Sequence, residues 1–179
     1  MLEKMKFVFP CAQYEQKATE YIGEFHACKS PTYGTAGLET YLSEHSYSEW
    51  LLKIVADLDV ANISPGRVPA LTYFYVREED DKIIGMINIR FALNDFLRKV
   101  GGHIGYNVRP TERQKGYATC MLRETLEFCK IIGLNEVIVS CNKDNIASAK
   151  VIKNCGGQLE REFFSDQLGR DMQKYIIKN

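Results

Sequence analysis

Residues 108–119 read VRPTERQKGYAT, and the rest of the chain is most easily interpreted outward from them. A strand ends at Val108, a turn containing Pro110 follows, and an amphipathic helix begins. The first turn of a helix leaves four backbone N–H groups unpaired at the positive end of the helix dipole, which favours a bound anion. Because Gly116 and Ala118 have almost no side chain, a pyrophosphate could approach this backbone closely. The stretch therefore predicts an anion site at the junction of strand and helix.

Two common nucleotide-binding motifs are absent from the sequence. It contains no G-x-x-x-x-G-K-[S/T] loop. It also lacks the G-x-G-x-x-G fingerprint of dinucleotide-binding folds. The six cysteines and three histidines show none of the short paired spacings of a zinc site, so we expect no metal.

The composition indicates a globular protein, which we interpret as a single domain over residues 1–179. The chain is 45% hydrophobic and 26% charged, which excludes wholesale disorder. Lys plus Arg and Asp plus Glu both number 23, so the basic excess of a nucleic-acid-binding protein is missing and no nucleic-acid partner is expected. No apolar run approaches the roughly 20 residues that cross a bilayer, and the first residues do not resemble a signal peptide. We therefore expect a cytoplasmic protein with no membrane partner, either a monomer or a homodimer.

The periodicity of apolar residues predicts a mixed α/β fold. A capping box of Ser46 and Glu49 marks the start of one helix. Further helices are predicted at 13–28, 118–132 and 145–154. Strands are predicted at 6–9, 71–76, 82–91, 101–108, 136–141, 159–164 and 172–177. The resulting order is β-α-α-β-β-β-α-β-α-β-β.

The V-R-P-x-x-R-x-x-G-Y-A run, together with Asn145-x-x-Ser148, resembles the GNAT superfamily of acyl-CoA-dependent N-acyltransferases. The element order also fits that fold, so the resemblance covers roughly residues 6–177. The sequences of segments 102–106, 115–118 and 141–148 are similar to those of a bacterial branch of this superfamily, which is known mainly as predicted acetyltransferases. The resemblance implies acetyl-CoA as co-substrate and an acetyl group moved by direct attack to a primary amine. The acceptor would be a small molecule or a peptide.

The resemblance also implies where the cofactor binds. The fourth and fifth strands would splay into a V, and the pantetheine arm would pair with the backbone of the strand that ends at Val108. The amides of residues 114–119 would hold the pyrophosphate, and Asn145 would either bind the cofactor or cap its helix. The predicted cofactor-binding residues are Tyr106, Asn107, Val108, Arg113, Gln114, Lys115, Gly116, Tyr117, Ala118, Thr119, Asn145 and Ser148.

Catalysis requires a proton acceptor for the amine and a donor for the thioester oxygen. Many family members place a Glu five residues before the Asn and a Tyr seven after it, but this chain has Ser140 and Ile152 there. Three residues are therefore considered as catalytic. His103 would be either the base or a histidine hydrogen-bonded within the structure, with Glu160 as runner-up for the base, and Ser148 would either support the thiolate or face solvent. The backbone N–H of Val108 or its neighbour would serve the oxyanion, Glu162 is a further candidate base, and Cys141 would pack in the core or line the cleft.

The sequence is compatible with two functions and with two roles for a pair of acidic residues. The absence of the usual Glu and Tyr also suits a non-catalytic acyl-CoA-binding sensor or interaction module with the same fold. Glu39 and Glu44, in the segment between the first two predicted helices, would either attract a cationic amine or be solvated surface.

Overall fold

The computed structural model describes residues 3–63 and 65–179, which contain seven strands and five α-helices. The strands are β1 (Met5–Val8), β2 (Ala70–Arg77), β3 (Lys82–Arg90), β4 (Ile104–Val108), β5 (Glu136–Asn142), β6 (Gln158–Ser165) and β7 (Arg170–Lys178). The helices are α1 (Glu15–Ala27), α2 (Leu38–Glu44), α3 (Tyr47–Ala56), α4 (Tyr117–Ile131) and α5 (Ile146–Asn154). The mixed α/β prediction is thereby confirmed.

The strands form two antiparallel sheets whose backbones pair with each other at a single point of the described chain. One sheet has the order β1-β2-β3-β4, and the other has the order β5-β7-β6. An isolated bridge joins Gly102 to Val139, and the N–H of His103 donates to the carbonyl of Ile138 at 2.7 Å. Because this contact precedes β4 and no ladder continues it, β4 and β5 leave a gap between the sheets.

The register of β4 decides which backbone groups face this gap. The carbonyl of His103 accepts a hydrogen bond from β3, and the N–H of Arg109 donates one to β3, both at 2.8 Å. In an antiparallel pair the hydrogen-bonded residues alternate, so every second residue turns its N–H and C=O away from the partner strand. Tyr106 and Val108 therefore present their backbone polar groups to the gap.

Two apolar clusters cover the opposite faces of the β1–β4 sheet. Helices α1 to α3 contribute Tyr21, Phe25 and Trp50, all fully buried, to a cluster on one face. Helices α4 and α5 contribute Met121 and Ile152 to the second cluster, which includes residues from β3, β5 and β7 and so joins the two sheets. Burial of this apolar surface fixes the helices that flank the gap.

The sequence prediction missed helix α2. This helix has seven residues and buries only Leu38, which is too little apolar repeat to show a helical period. It begins after Gly37, whose φ of 83° is the left-handed conformation that glycine adopts readily. Half of the predicted capping box is present, since Ser46 Oγ accepts from the N–H of Glu49 at 3.2 Å and so caps α3, while the carboxylate of Glu49 accepts from the Ser46 hydroxyl.

Candidate active site

The connection from β4 to α4 forms a cradle of unpaired backbone amides. Gln114 and Gly116 take left-handed conformations, with φ of 65° and 88°. Among the described residues, the N–H groups of residues 114–118 have no hydrogen-bond acceptor. The prediction also included the amide of Thr119, but this N–H already donates a hydrogen bond to the carbonyl of Gly116 at 3.0 Å. The arrangement fits the predicted anion site at a 15-residue helix.

The surroundings of Gly116 leave room for a ligand against this cradle. A Cβ placed on Gly116 would meet no atom of the described protein within 4 Å. The pyrophosphate of acetyl-CoA fits a site of this kind, because its oxygens need several N–H donors and close access to the backbone. The residues present therefore suit the cofactor that the sequence implied.

A charged cluster lies directly before the cradle. The buried carboxylate of Glu112 accepts from Lys115 at 2.7 Å and from Lys82 at 2.9 Å, and Arg77 lies 3.4 Å away. Burial alone would raise the pKa of Glu112, but these cations hold it at about 2. Arg77 is also paired with Glu3 and Asp80, so the charges of this cluster are balanced, and Lys115 lies beside the amides as an ion-paired side chain.

Arg113 is tied to the end of β4 and does not extend toward the cradle. Its Nε donates to the carbonyl of Val108 at 3.0 Å, and its Nη2 donates to Ser30 Oγ at 2.8 Å. The guanidinium also lies over the ring of Phe25, 5.5 Å from the centroid. The predicted role of Arg113 in cofactor binding is thus indirect in this geometry, because the side chain fixes the strand end and satisfies one carbonyl that faces the gap.

A pair of hydroxyl groups links strand β4 to helix α5. Tyr106 Oη lies 2.9 Å from Ser148 Oγ, so a strand residue and a helix residue predicted to serve the cofactor are brought together. Burial raises the pKa of Tyr106, which keeps the phenol protonated. Burial also raises the pKa of Cys141, while a hydrogen bond with Ser148 opposes that rise. The contacts of Ser148 with Tyr106 and Cys141 were not visible in the sequence, because they join three separate elements.

Asn145 caps helix α5. Its Oδ1 accepts from the N–H of Ser148 at 3.0 Å, which is the usual cap geometry. The side chain is exposed and its amide nitrogen has no acceptor among the described residues. Capping and cofactor binding, the two roles considered for Asn145, are therefore compatible, because they use different atoms.

Asn107 turns away from the gap. Its side chain accepts a hydrogen bond from the buried hydroxyl of Tyr21 and donates to the carbonyl of Tyr33 at 2.8 Å. By the alternation along β4, its backbone groups point to β3. Neither set of atoms reaches the gap, so this geometry does not support the prediction that Asn107 binds the cofactor. The residue instead anchors α1 and the segment around Tyr33 to the sheet.

His103 lies where the two sheets meet. Its Nδ1 accepts from the N–H of Ile138 at 2.9 Å, so the neutral ring carries its proton on Nε2. Burial lowers the pKa of His103, and the nearby positive charges of Arg90 and Arg98 lower it further. In this tautomer Nε2 already carries a proton, and Nδ1 already accepts a hydrogen bond. The base role of His103 therefore stays a prediction.

The face of β5 and β7 opposite α4 and α5 carries polar side chains. Cys141 and Tyr175 belong to the core beneath those helices, and side chains alternate along a strand. Ser140 and Lys174, which are register partners, therefore face the other way. Ser140 Oγ is buried and lacks a hydrogen-bond partner among the described residues. Ser140 occupies the position at which related enzymes often carry a Glu, and it offers there a small hydroxyl without a hydrogen-bond partner.

The two carboxylates considered as bases lie on the outer strand β6. Glu160 Oε2 is 2.9 Å from the Nζ of the buried Lys174, which brings it to this polar face. Glu162 accepts from Lys143 at 2.6 Å and from Gln173 at 2.7 Å. The hydrogen bond from Lys143, followed by that from Gln173, lowers the pKa of Glu162. Neither carboxylate contacts His103 or Ser148, so the structure does not bring the predicted catalytic residues into one cluster.

Two further features are absent from residues 3–63 and 65–179. No group of three or more His, Cys, Asp or Glu side chains is placed to hold a metal ion. No helix in these ranges is long and apolar enough to cross a membrane.

Comparison with known proteins identifies the family. Residues 15–158 match the profile of the acetyltransferase (GNAT) domain. A comparison with curated proteins gave no match. Among solved structures, the microcin C7 self-immunity acetyltransferase MccE in complex with acetyl-CoA and AMP is similar, with a TM-score of 0.71 and 19% identity over 100% of this chain and 94% of that one.

Two ribosomal-protein acetyltransferases are also similar in fold. The ribosomal-protein-S5-alanine acetyltransferase from Vibrio fischeri has a TM-score of 0.72 and 19% identity, covering 100% of this chain and 95% of that one. RimL, a ribosomal L7/L12 α-N-protein acetyltransferase solved with coenzyme A, has a TM-score of 0.72 and 13% identity, covering 99% and 95%. The profile match spans most of the sequence, and these structures share its fold. The chain therefore belongs to the GNAT family of acetyltransferases.

Proposed function

We propose that residues 1–179 act as one N-acetyltransferase domain that moves an acetyl group from acetyl-CoA to a primary amine by direct attack. The observation that carries this proposal is the row of unpaired amides at residues 114–118, next to a strand whose backbone faces an open gap. MccE was solved with acetyl-CoA and RimL with coenzyme A, which supports the same co-substrate here. In this proposal the pyrophosphate binds the cradle, and the pantetheine arm pairs with Tyr106 and Val108.

The gap supplies groups suited to the transfer step. The amine nitrogen forms a bond to the acetyl carbon, and the carbonyl oxygen gains negative charge that the N–H of Val108, turned to the gap, can stabilise. Collapse of this intermediate breaks the C–S bond and leaves a thiolate. We assign the Ser148 hydroxyl, paired with Tyr106, to the stabilisation of that thiolate.

The attacking amine must lose a proton, and we assign Glu160 to accept it. Its carboxylate lies beside Lys174, on the face that also carries the unsatisfied hydroxyl of Ser140. His103 is less suited, because its acceptor nitrogen is already used by the N–H of Ile138. The matched substitutions Glu160→Gln and His103→Gln separate the two candidates.

A non-catalytic acyl-CoA sensor is the second candidate function. The favouring observation is that Ile152, which stands where many relatives carry a Tyr acid, is fully buried in the core and offers no hydroxyl. The hydroxyl of Tyr106 reaches the neighbourhood of Ser148 from the opposite strand, and it is the reason for preferring the enzyme.

We place this activity in the cytoplasm. The six cysteines of the sequence are all free thiols, which suits a reducing compartment. The acceptor in this proposal is a small molecule or a peptide.

Release of free CoA thiol from acetyl-CoA in the presence of an amine panel tests the proposal. The expected result is thiol release that depends on an amine, with a product heavier by one acetyl group in mass spectrometry. A protein that binds CoA but releases no thiol with any amine would instead be the sensor. A protein that does neither would refute both functions.

A further inference from the structure

A cavity of about 410 Å³ lies on the α1–α3 side of the first sheet, away from the amide cradle. Its walls come from the loop before α2, helix α3, strand β3 and the segment around Phe96. The volume is in the range of small-molecule sites, roughly 300–1,000 Å³. None of the residues that line this cavity was assigned to cofactor binding, so it is space that an acceptor could occupy.

The cavity is lined by more positive than negative charge. Lys53 and Arg67 share the buried carboxylate of Asp57, at 3.3 and 2.9 Å. Arg90 is the third cation, and no carboxylate lies within ion-pair distance of it among the described residues. Three cationic side chains therefore face one carboxylate, and the imbalance lies inside a concave site.

Arg90 is largely buried and has no carboxylate partner among the described residues. Its one side-chain hydrogen bond in the described structure runs from Nη1 to the carbonyl of Gly102, at 3.0 Å. Burial lowers the pKa of Arg90 to about 10, because no negative group offsets the loss of water. Burial also lowers the pKa of Lys53, and Arg67 and Arg90 act in the same direction against the attraction of Asp57. A largely buried cation without a counter-charge costs stability that an anionic ligand would recover.

The guanidinium is also close to the strand that faces the cofactor gap. A Cβ on Gly105 would stand 3.2 Å from Arg90 Nη2, so the absence of a side chain there gives the guanidinium its space. Gly105 directly precedes Tyr106, whose backbone faces the gap. A molecule bound at Arg90 would thus lie next to the strand proposed to hold the thioester arm.

We propose that this cavity binds an anionic group, a carboxylate or a phosphate, on the molecule whose amine is acetylated. Arg90 supplies the central contact, since a guanidinium donates two parallel hydrogen bonds to either group. Arg67, which is partly exposed, draws the anion in at the rim. This inference rests on the proposed transfer reaction and names its acceptor class. Of the two roles considered for Glu39, attraction of a cationic amine or solvated surface, the first is less suited, because Glu39 is held by His26 and Thr32.

Binding is tested first without acetyl-CoA, so that the result does not depend on the transfer reaction. The melting temperature is measured with inorganic phosphate and with acetate, each against sodium chloride of equal ionic strength. The expected result is a higher melting temperature in one of the two anions for the wild type, and a smaller rise for Arg90→Gln. The matched control Arg123→Gln, which lies exposed on α4, should respond as the wild type does. Equal effects of phosphate, acetate and chloride on the wild type would overturn the proposal.

Substrate preference is tested second, with pairs of amines that differ in one anionic group. The pairs are phosphoethanolamine with ethanolamine, and an amino acid with its amide, so that the phosphate and carboxylate sources are separated. We expect kcat/KM to favour the anionic member of one pair at least tenfold. Arg90→Gln should reduce that preference at least tenfold. Arg67→Gln should reduce it about two- to fivefold, and this variant carries the test if Arg90→Gln does not fold. Equal use of both members of each pair would refute the anionic acceptor, whereas no thiol release with any amine would refute the transfer reaction itself.

Discussion

Replacement of Gly116 by Glu is the sharpest perturbation that the amide cradle allows. The backbone is open at this position, since a Cβ there meets no atom of the described protein within 4 Å. Its φ of 88° does impose strain on any residue with a side chain, about 1–2 kcal/mol. For a domain of this size that strain corresponds to a fall in melting temperature of about 2–8 °C. A carboxylate at the start of α4 is itself favourable to the helix dipole, so the fold should persist.

The effect on CoA binding should be much larger than the effect on stability. A carboxylate about 5 Å from one phosphate charge, at an effective dielectric constant near 20, costs about 3 kcal/mol. The dissociation constant for CoA should therefore rise roughly 200-fold in calorimetric titration. Gly116→Ala is the matched control, because it has the same backbone strain and no charge, and it should weaken CoA binding by less than about tenfold. Equal CoA affinity in the Ala and Glu variants, both folded, would refute the placement of the pyrophosphate.

Three further predictions concern single side chains. Ser148→Ala should lower kcat about 10- to 100-fold in steady-state kinetics while KM for acetyl-CoA changes less than threefold, and equal changes in both constants would make Ser148 a cofactor ligand only. Glu160→Gln should lower kcat about 10²–10⁴-fold and His103→Gln much less, and the reverse order would assign the base to His103. The pKa of Glu112 is about 2 in the folded protein against about 4.5 unperturbed. Its charge therefore stabilises the fold above pH 4.5, and this contribution is lost as the pH falls toward 2. Glu112→Gln should lower the melting temperature at pH 7 and flatten its fall between pH 4.5 and 2, and an unchanged acid limb would contradict the assignment.

The helices and strands were predictable from the sequence wherever the spacing or type of their apolar residues is characteristic of the element. The face of α4 repeats Met121, Leu122 and Cys129 at helical spacing, and β2 and β3 are runs rich in β-branched and aromatic or apolar residues that are largely buried. Gly116 and Ala118 indicated the amide cradle because an anion can approach the backbone at a helix start closely only where the side chains are small. Helix α2 has too few buried residues to show a period, so no sequence pattern revealed it.

The side-chain geometry of the site was less predictable, because it depends on contacts between distant segments. The contact of Tyr106 with Ser148 joins residues 42 positions apart, and Arg113 is captured by Ser30 from 83 positions away. The lack of a counter-charge at the Arg90 guanidinium is a property of the fold as well, because a sequence does not show which charged side chains lie near it. Roles that rest on backbone amides could thus be read from residue types, whereas roles of side chains required the structure.

The melting temperature of the wild-type protein with CoA and its fragments tests the central claim most directly. A ligand at about a hundredfold excess over its dissociation constant stabilises the folded state by roughly 2.7 kcal/mol. For a domain of this size that is a rise of about 5–10 °C. The account predicts this rise with CoA or acetyl-CoA, part of it with dephospho-CoA, which keeps the pyrophosphate, and little of it with pantetheine. No rise with CoA, or an equal rise with pantetheine, would contradict a cofactor held by its pyrophosphate at the start of α4.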